Sequence, residues 1–104
     1  MAQDERQPGG AVLERRKEKP ETPKLYRVIL HNDDYTTMDF VVGVLETVFQ
    51  KAPAEAYRLM MQVHTQGRAV CGSYTYEVAE TKVATVREMA VREGFPLQAS
   101  LEEE

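Results

Sequence analysis

Leu25-Tyr26-Arg27-Val28-Ile29-Leu30-His31-Asn32-Asp33-Asp34-Tyr35-Thr36-Thr37-Met38-Asp39-Phe40-Val41 decides the fold. Its first half is β-branched and aromatic, which predicts a strand, and Asn32-Asp33-Asp34 ends that strand with residues whose short polar side chains favour turns. Thr36 or Thr37 then offers a hydroxyl to cap a helix, and Asp39 places a carboxylate near the positive end of its dipole. Beyond the cap the apolar spacing lengthens from two to three and four residues. Met38, Val41, Leu45, Val48 and Phe49 form one stripe, so a strand, a polar loop and an amphipathic helix follow one another here.

Toward the C-terminus the punctuation is equally plain. Pro53 opens a second helix in which Ala56, Leu59, Met60 and Val63 share a face, and Gly67 is suited to end it. Arg68 to Tyr74 reads as a strand. Thr75 starts a third helix with Glu77 in its first turn, a face of Ala79, Val83, Val86 and Ala90, and Gly94 at its end. Leu97, Ala99 and Leu101 alternate with Gln98 and Ser100, which predicts a last strand after Pro96. The order β-α-α-β-α-β implies an α+β fold, a three-stranded antiparallel sheet covered by three helices.

Upstream the composition changes. Residues 1–23 hold Pro8, Pro20 and Pro23, the Gly9-Gly10 pair, no aromatic side chain, and little apolar surface beyond Met1, Val12 and Leu13. Such a segment buries too little to offset its ordering entropy, so a mobile N-terminal extension is expected over 1–23 and a core domain over 24–104. The extension is either plain solvated sequence or a tether presented to a partner. It is charge-neutral, with five basic and five acidic residues. Of the 13 Lys+Arg and 17 Asp+Glu in the 104 residues, 8 and 12 therefore belong to the core domain, which carries the whole net charge of −4. An acidic body lacks the basic face that neutralises phosphates, which argues against nucleic acid as a partner. Cys71 is the single cysteine, so neither an internal disulfide nor a cysteine-based zinc site is available, and a reduced compartment fits. No apolar run approaches a membrane span, and the charged N-terminus does not read as a signal peptide; a cytoplasmic protein without a membrane partner is expected.

Chemistry concentrates at two helix ends, the loop His31 to Thr37 and His64. Asn32, Asp33 and an unprotonated His64 are all acceptors, which suits an ammonium with three N–H donors. Met38, Val41, Met60 and Val63 would line an apolar pit beside them, and thioethers adapt to aromatic and aliphatic guests alike. That is a plausible receptor for a free α-amino group with a large first side chain. The same residues also admit plainer readings: a turn with a helix cap, core packing at helical spacing, and a helix-end histidine. An enzyme would need more. His64 beside Asp33 or Asp34 could serve as a base, and His31, His64 and a carboxylate could hold a metal, but no phosphate loop, HExxH or GxSxG accompanies them, and Cys71 falls in an apolar strand. Neither catalysis nor a cofactor or metal is expected. The competing class is a non-catalytic protein-interaction module with no such pocket; the C-terminal domain of a ribosomal stalk protein has a similar element order, and fold does not settle function.

The runs Leu30 to Val41, Val63-His64-Thr65-Gln66-Gly67, and Val70-Cys71-Gly72 through Tyr76-Glu77-Val78-Ala79-Glu80-Thr81-Lys82-Val83-Ala84 strongly resemble ClpS, the bacterial N-end-rule adaptor family of the ClpAP protease. The resemblance covers residues 24–104. It implies that Asn32, Asp33 and His64 receive the α-amino group of an N-degron, and that Met38, Val41, Met60, Val63 and Leu97 form the side-chain pocket, with Asp34 and Thr36 at its edge. Met38 matches the gatekeeper that disfavours β-branched first residues, the favoured ones being Leu, Phe, Tyr and Trp. Glu77, Glu80 and Lys82 match the surface that docks on the N-terminal domain of the AAA+ unfoldase ClpA. The resemblance further implies substrate proteins bearing N-degrons as partners, a monomer, and an extension engaged by the unfoldase during hand-over. Two positions depart from the common pattern: Thr37 stands where proline is usual, which frees the loop backbone, and His31 where an aliphatic residue is usual.

Overall fold

The structure, a computed structural model, describes residues 22–104. The extension expected over 1–23 lies outside the described residues except for its last two. The elements are β1 (Tyr26–His31), α1 (Met38–Thr47), α2 (Pro53–Gln66), β2 (Arg68–Tyr74), α3 (Tyr76–Glu93) and β3 (Gln98–Glu103). They form an α+β fold with the expected order. β1 lies at the centre of a three-stranded antiparallel sheet, β2-β1-β3.

Alternation along β1 sends Val28 and Leu30 into the core beneath the helices, and Ile29 to the other side of the sheet between its neighbours Val70 and Ser100. All three are fully buried; burial of each contributes roughly 1.5–3 kcal/mol. The partners of Leu30 and Val28 on β3 are Ala99 and Leu101, so the apolar parity read from that strand is the one that faces α3. On β2 the register shifts opposite Val28 and Ile29, leaving Cys71 as the extra residue of a bulge. Both Cys71 and Gly72 thereby serve the core side. At Gly72 a Cβ would collide with the Tyr74 hydroxyl and ring, so glycine there lets the Tyr74 side chain lie back over its own strand.

The helices start and stop for the expected reasons. The Thr37 hydroxyl accepts from Phe40 N–H at 3.1 Å and caps α1. Pro53 occupies the first turn of α2, and Gly67 ends it with φ +93°, its N–H bonded to the Val63 carbonyl at 2.9 Å. Thr75 stands at the N-cap of α3, but its side chain makes no capping bond. Val41 and Leu45 on α1 and Val48 and Phe49 just beyond its end are buried, whereas Met38 at the head of the same stripe is 43% exposed. The stripe therefore runs out of the core at its N-terminal end, where α1 meets α2, and the site begins there.

Candidate functional site

Three segments meet at the open end of the α1–α2 pair. Asn32 N–H donates to the Gly67 carbonyl at 2.9 Å, tying the end of β1 to the turn after α2. Asn32 is thus carried to the same edge as His64 in the last turn of α2. Between them lies a cleft of about 220 Å³. Asn32, Asp33, Asp34, Thr36 and His64 supply its polar wall; Met38, Val41, Met60 and Val63 supply its apolar floor. Val41, Met60 and Val63 are buried, and Met38 stands at the mouth. The cleft therefore sets hydrogen-bonding groups of two segments beside one apolar recess.

Asp33 organises the loop as well as lining the cleft. Its Oδ1 accepts from Tyr35 N–H at 2.8 Å and from Thr36 N–H at 2.7 Å, and its Oδ2 accepts from the Thr36 hydroxyl at 2.7 Å. Partial desolvation raises the Asp33 carboxyl, but the bonds from the Thr36 hydroxyl, Thr36 N–H and Tyr35 N–H together outweigh it and hold the pKa below its ordinary value of 3.8. The group is a carboxylate at neutral pH. About four lone-pair directions are available on a carboxylate, so three loop bonds leave one for a guest cation. This double duty escaped the sequence reading; the spacing Asp33-Asp34-Tyr35-Thr36, an Asx residue two and three positions before its N–H partners, is the signal that could have found it.

Not every residue of the expected set meets at the cleft. Leu97 is buried but lines a different cavity, of about 280 Å³, with Phe95, Pro96, Arg87 and Val91. It sits between α3 and β3, and its side chain follows the core-facing parity of Ala99 and Leu101. His31 faces the sheet side opposite the helices, where its Nε2 and Ser100 Oγ share a 2.7 Å hydrogen bond. Among the described residues no three His, Cys, Asp or Glu side chains group as metal ligands.

On α3, Glu77 and Glu80 are exposed, and the Tyr76 hydroxyl reaches Glu80 at 3.4 Å. Lys82 is turned elsewhere. Its Nζ donates to the Val48 carbonyl at 2.7 Å, lies 3.5 Å from Gln50 Oε1, and stands 5.3 Å from the Tyr74 ring centre. It thus places a cation at the C-terminus of α1, where the dipole favours one. Two residues at about 100° each put the Cα–Cβ directions of Glu80 and Lys82 on different sides of the helix. Cys71 is buried, and desolvation pushes its thiol up to about 12; such a thiol is unreactive. Among the described residues no helix is long and apolar enough to cross a membrane.

Fold and cleft together define a small α+β binding domain with acceptors over an apolar recess. Residues 21–100 match the family model described as ATP-dependent Clp protease adaptor protein ClpS. The chain is 53% identical over 104 residues to the ATP-dependent Clp protease adapter protein ClpS of Desulfatibacillum aliphaticivorans, covering 100% of both chains. It is 59% identical over 81 residues to the ClpS of Nitratidesulfovibrio vulgaris, covering 78% of this chain and 81% of that one. Among solved structures, that of Agrobacterium tumefaciens ClpS2 bound to L-phenylalaninamide superposes with a TM-score of 0.77 at 41% identity, over 80% of this chain and 100% of that chain. The chain belongs to the ClpS family of Clp protease adaptors.

Proposed function

We propose that this adaptor binds N-degrons, a free α-amino group followed by Leu, Phe, Tyr or Trp as first side chain, and delivers the proteins bearing them to the unfoldase ClpA of the ClpAP protease. One observation carries the reading: Asn32, Asp33 and His64 converge on the rim of a recess floored by Val41, Met60 and Val63. The solved relative bound to L-phenylalaninamide supports it, since that ligand combines a free α-amino group with a benzyl side chain.

The mechanism follows from counting donors. An ammonium presents three N–H groups and a charge, which Asn32 Oδ1, the remaining lone pair of Asp33 and an unprotonated His64 nitrogen can accept. An internal peptide unit presents one N–H and no charge, and would leave the Asp33 carboxylate desolvated without a cation; rejection by an unpaired group is the stronger kind of selectivity. Charge-assisted bonds of about 1.5–3 kcal/mol each, with a similar sum for the first side chain, total roughly 6–12 kcal/mol. Subtracting at least about 4 kcal/mol for lost freedom leaves up to about −8 kcal/mol, a micromolar dissociation constant at best. An adaptor that must release cargo needs no more.

Met38 at the mouth narrows the space beside the first Cβ, which disfavours β-branched residues. Asp34 and Thr36 shape the edge. Glu77 and Glu80, exposed on the first turns of α3, form the contact for the N-terminal domain of ClpA, with Lys82 supporting that region through its bond to α1. Residues 1–23 are the tether that the unfoldase engages. The adaptor acts as a cytoplasmic monomer without catalysis, cofactor or metal. A binding panel of fluorescent peptides covering all twenty first residues tests this: Leu, Phe, Tyr and Trp should stand apart from the rest, and a flat panel would refute it.

A further inference from the structure

Of the large apolar side chains exposed on the described surface, Tyr35, at 76%, is the most exposed. Its position is not incidental. Asp34 before it and Thr36 after it both line the cleft, which places Tyr35 about 3.8 Å in Cα from two rim residues. Its backbone is held, because Asp33 Oδ1 takes its N–H at 2.8 Å and the next N–H at 2.7 Å. A tyrosine on a fixed backbone has only two side-chain torsions to settle, so it contributes contact area at low entropic cost. Among the described residues its hydroxyl takes no hydrogen-bond partner and its ring no aromatic one.

We propose that Tyr35 forms a second subsite, a platform for the side chain of the residue that follows the N-terminal one, favouring aromatic and other apolar side chains there. The inference rests on the N-degron reading. With the α-amino group on Asn32, Asp33 and His64, and the first side chain in the recess, the cleft is filled. The peptide must leave over the rim, and its second residue lies only about 3.3–3.6 Å along the chain. Tyr35 stands in the chain between the rim residues Asp34 and Thr36 with its side chain in solvent, and Met38 at the mouth of the cleft is half exposed. An aromatic pair adds about twofold to tenfold in affinity beyond simple burial.

The test is a cycle between protein and peptide. Dissociation constants are measured by fluorescence anisotropy for two free-amine peptides, Leu-Phe and Leu-Gly at their first two positions, with native protein, Tyr35→Ala and Tyr35→Phe. The native protein should prefer Leu-Phe by about twofold to tenfold. Tyr35→Ala should bring the two peptides together while leaving Leu-Gly within about twofold of its native value, and Tyr35→Phe should keep the preference. Equal native affinities, a preference that survives Tyr35→Ala, or an equal weakening of both peptides would overturn the subsite. N-acetylated versions separate this from its parent: if acetylation costs affinity but the Leu-Phe to Leu-Gly ratio is one, only the subsite fails, whereas acetylated peptides binding as well as free ones would remove the N-degron reading itself.

Discussion

Asp33→Asn separates the two duties of the residue on which the cleft depends most. The carboxylate accepts three bonds from its own loop, two from backbone N–H groups to Oδ1 and one from the Thr36 hydroxyl to Oδ2. Asparagine keeps an oxygen for the two backbone donors, and its NH2 can donate to the Thr36 oxygen, so the loop persists. What disappears is the negative charge together with Oδ2, the oxygen whose remaining lone pair faces the ammonium, because an amide NH2 stands there instead. Losing that charge-assisted bond should cost about 1.5–3 kcal/mol, a dissociation constant weaker by about tenfold to a hundredfold or more for a Leu- or Phe-initiated peptide. Asp33→Ala also abandons Tyr35 N–H, Thr36 N–H and the Thr36 hydroxyl, and should weaken binding at least about a hundredfold, with changed amide resonances for residues 34–37. Anisotropy titrations and two-dimensional amide spectra of both variants supply the readouts. Native affinity in Asp33→Asn alongside lost affinity in Asp33→Ala would show that Asp33 serves the loop alone, and the ammonium would then need another anion.

Further expectations follow from neighbouring residues. Met38→Ala should raise affinity for Ile- and Val-initiated peptides about tenfold relative to Leu, because β-branched side chains need width near Cβ, and it should barely disturb a fold from which Met38 is half exposed; an unchanged peptide panel would refute the gatekeeper role. Lys82→Met keeps the aliphatic stem but loses the bond to the Val48 carbonyl; about 1 kcal/mol and a Tm fall of about 5 °C are expected, with peptide binding spared, and an unshifted melt would contradict the cap. Cys71, buried with its thiol pushed up to about 12, should resist disulfide reagents until the domain unfolds, so prompt labelling of folded protein would contradict its placement.

Much of this architecture is legible in the chain. The change of apolar period from two to about 3.6 across Asn32 to Thr37 marks β1, the loop and α1, and the glycines Gly67 and Gly94 stop two helices at left-handed positions with φ +93° and +81°. Polar residues of the cleft are legible because they crowd at helix ends rather than along a face. The rest depends on contacts that spacing does not encode. Lys82 reaches a carbonyl 34 residues away, so its inward turn is a property of where the fold brings α3 beside the residue that ends α1. Leu97 has the right parity for the core, yet parity does not say which cavity a buried side chain lines. The bulge at Cys71 breaks alternation inside β2, where the apolar pattern alone would send Cys71 and Gly72 to opposite faces. Met38 reads as part of a continuous stripe because periodicity follows the helix surface and does not see where the neighbouring helix ends.

The account rests on a cation at the start of the guest chain, and blocking that cation alone is the most direct probe. Two peptides identical except for acetylation of an N-terminal Phe, titrated calorimetrically into the full chain at neutral pH, isolate it. The free peptide should bind in the micromolar range and the acetylated one at least about a hundredfold more weakly, the loss of two or more charge-assisted bonds. Equal affinities would contradict the account, since no role would then remain for Asn32, Asp33 and His64 at the rim.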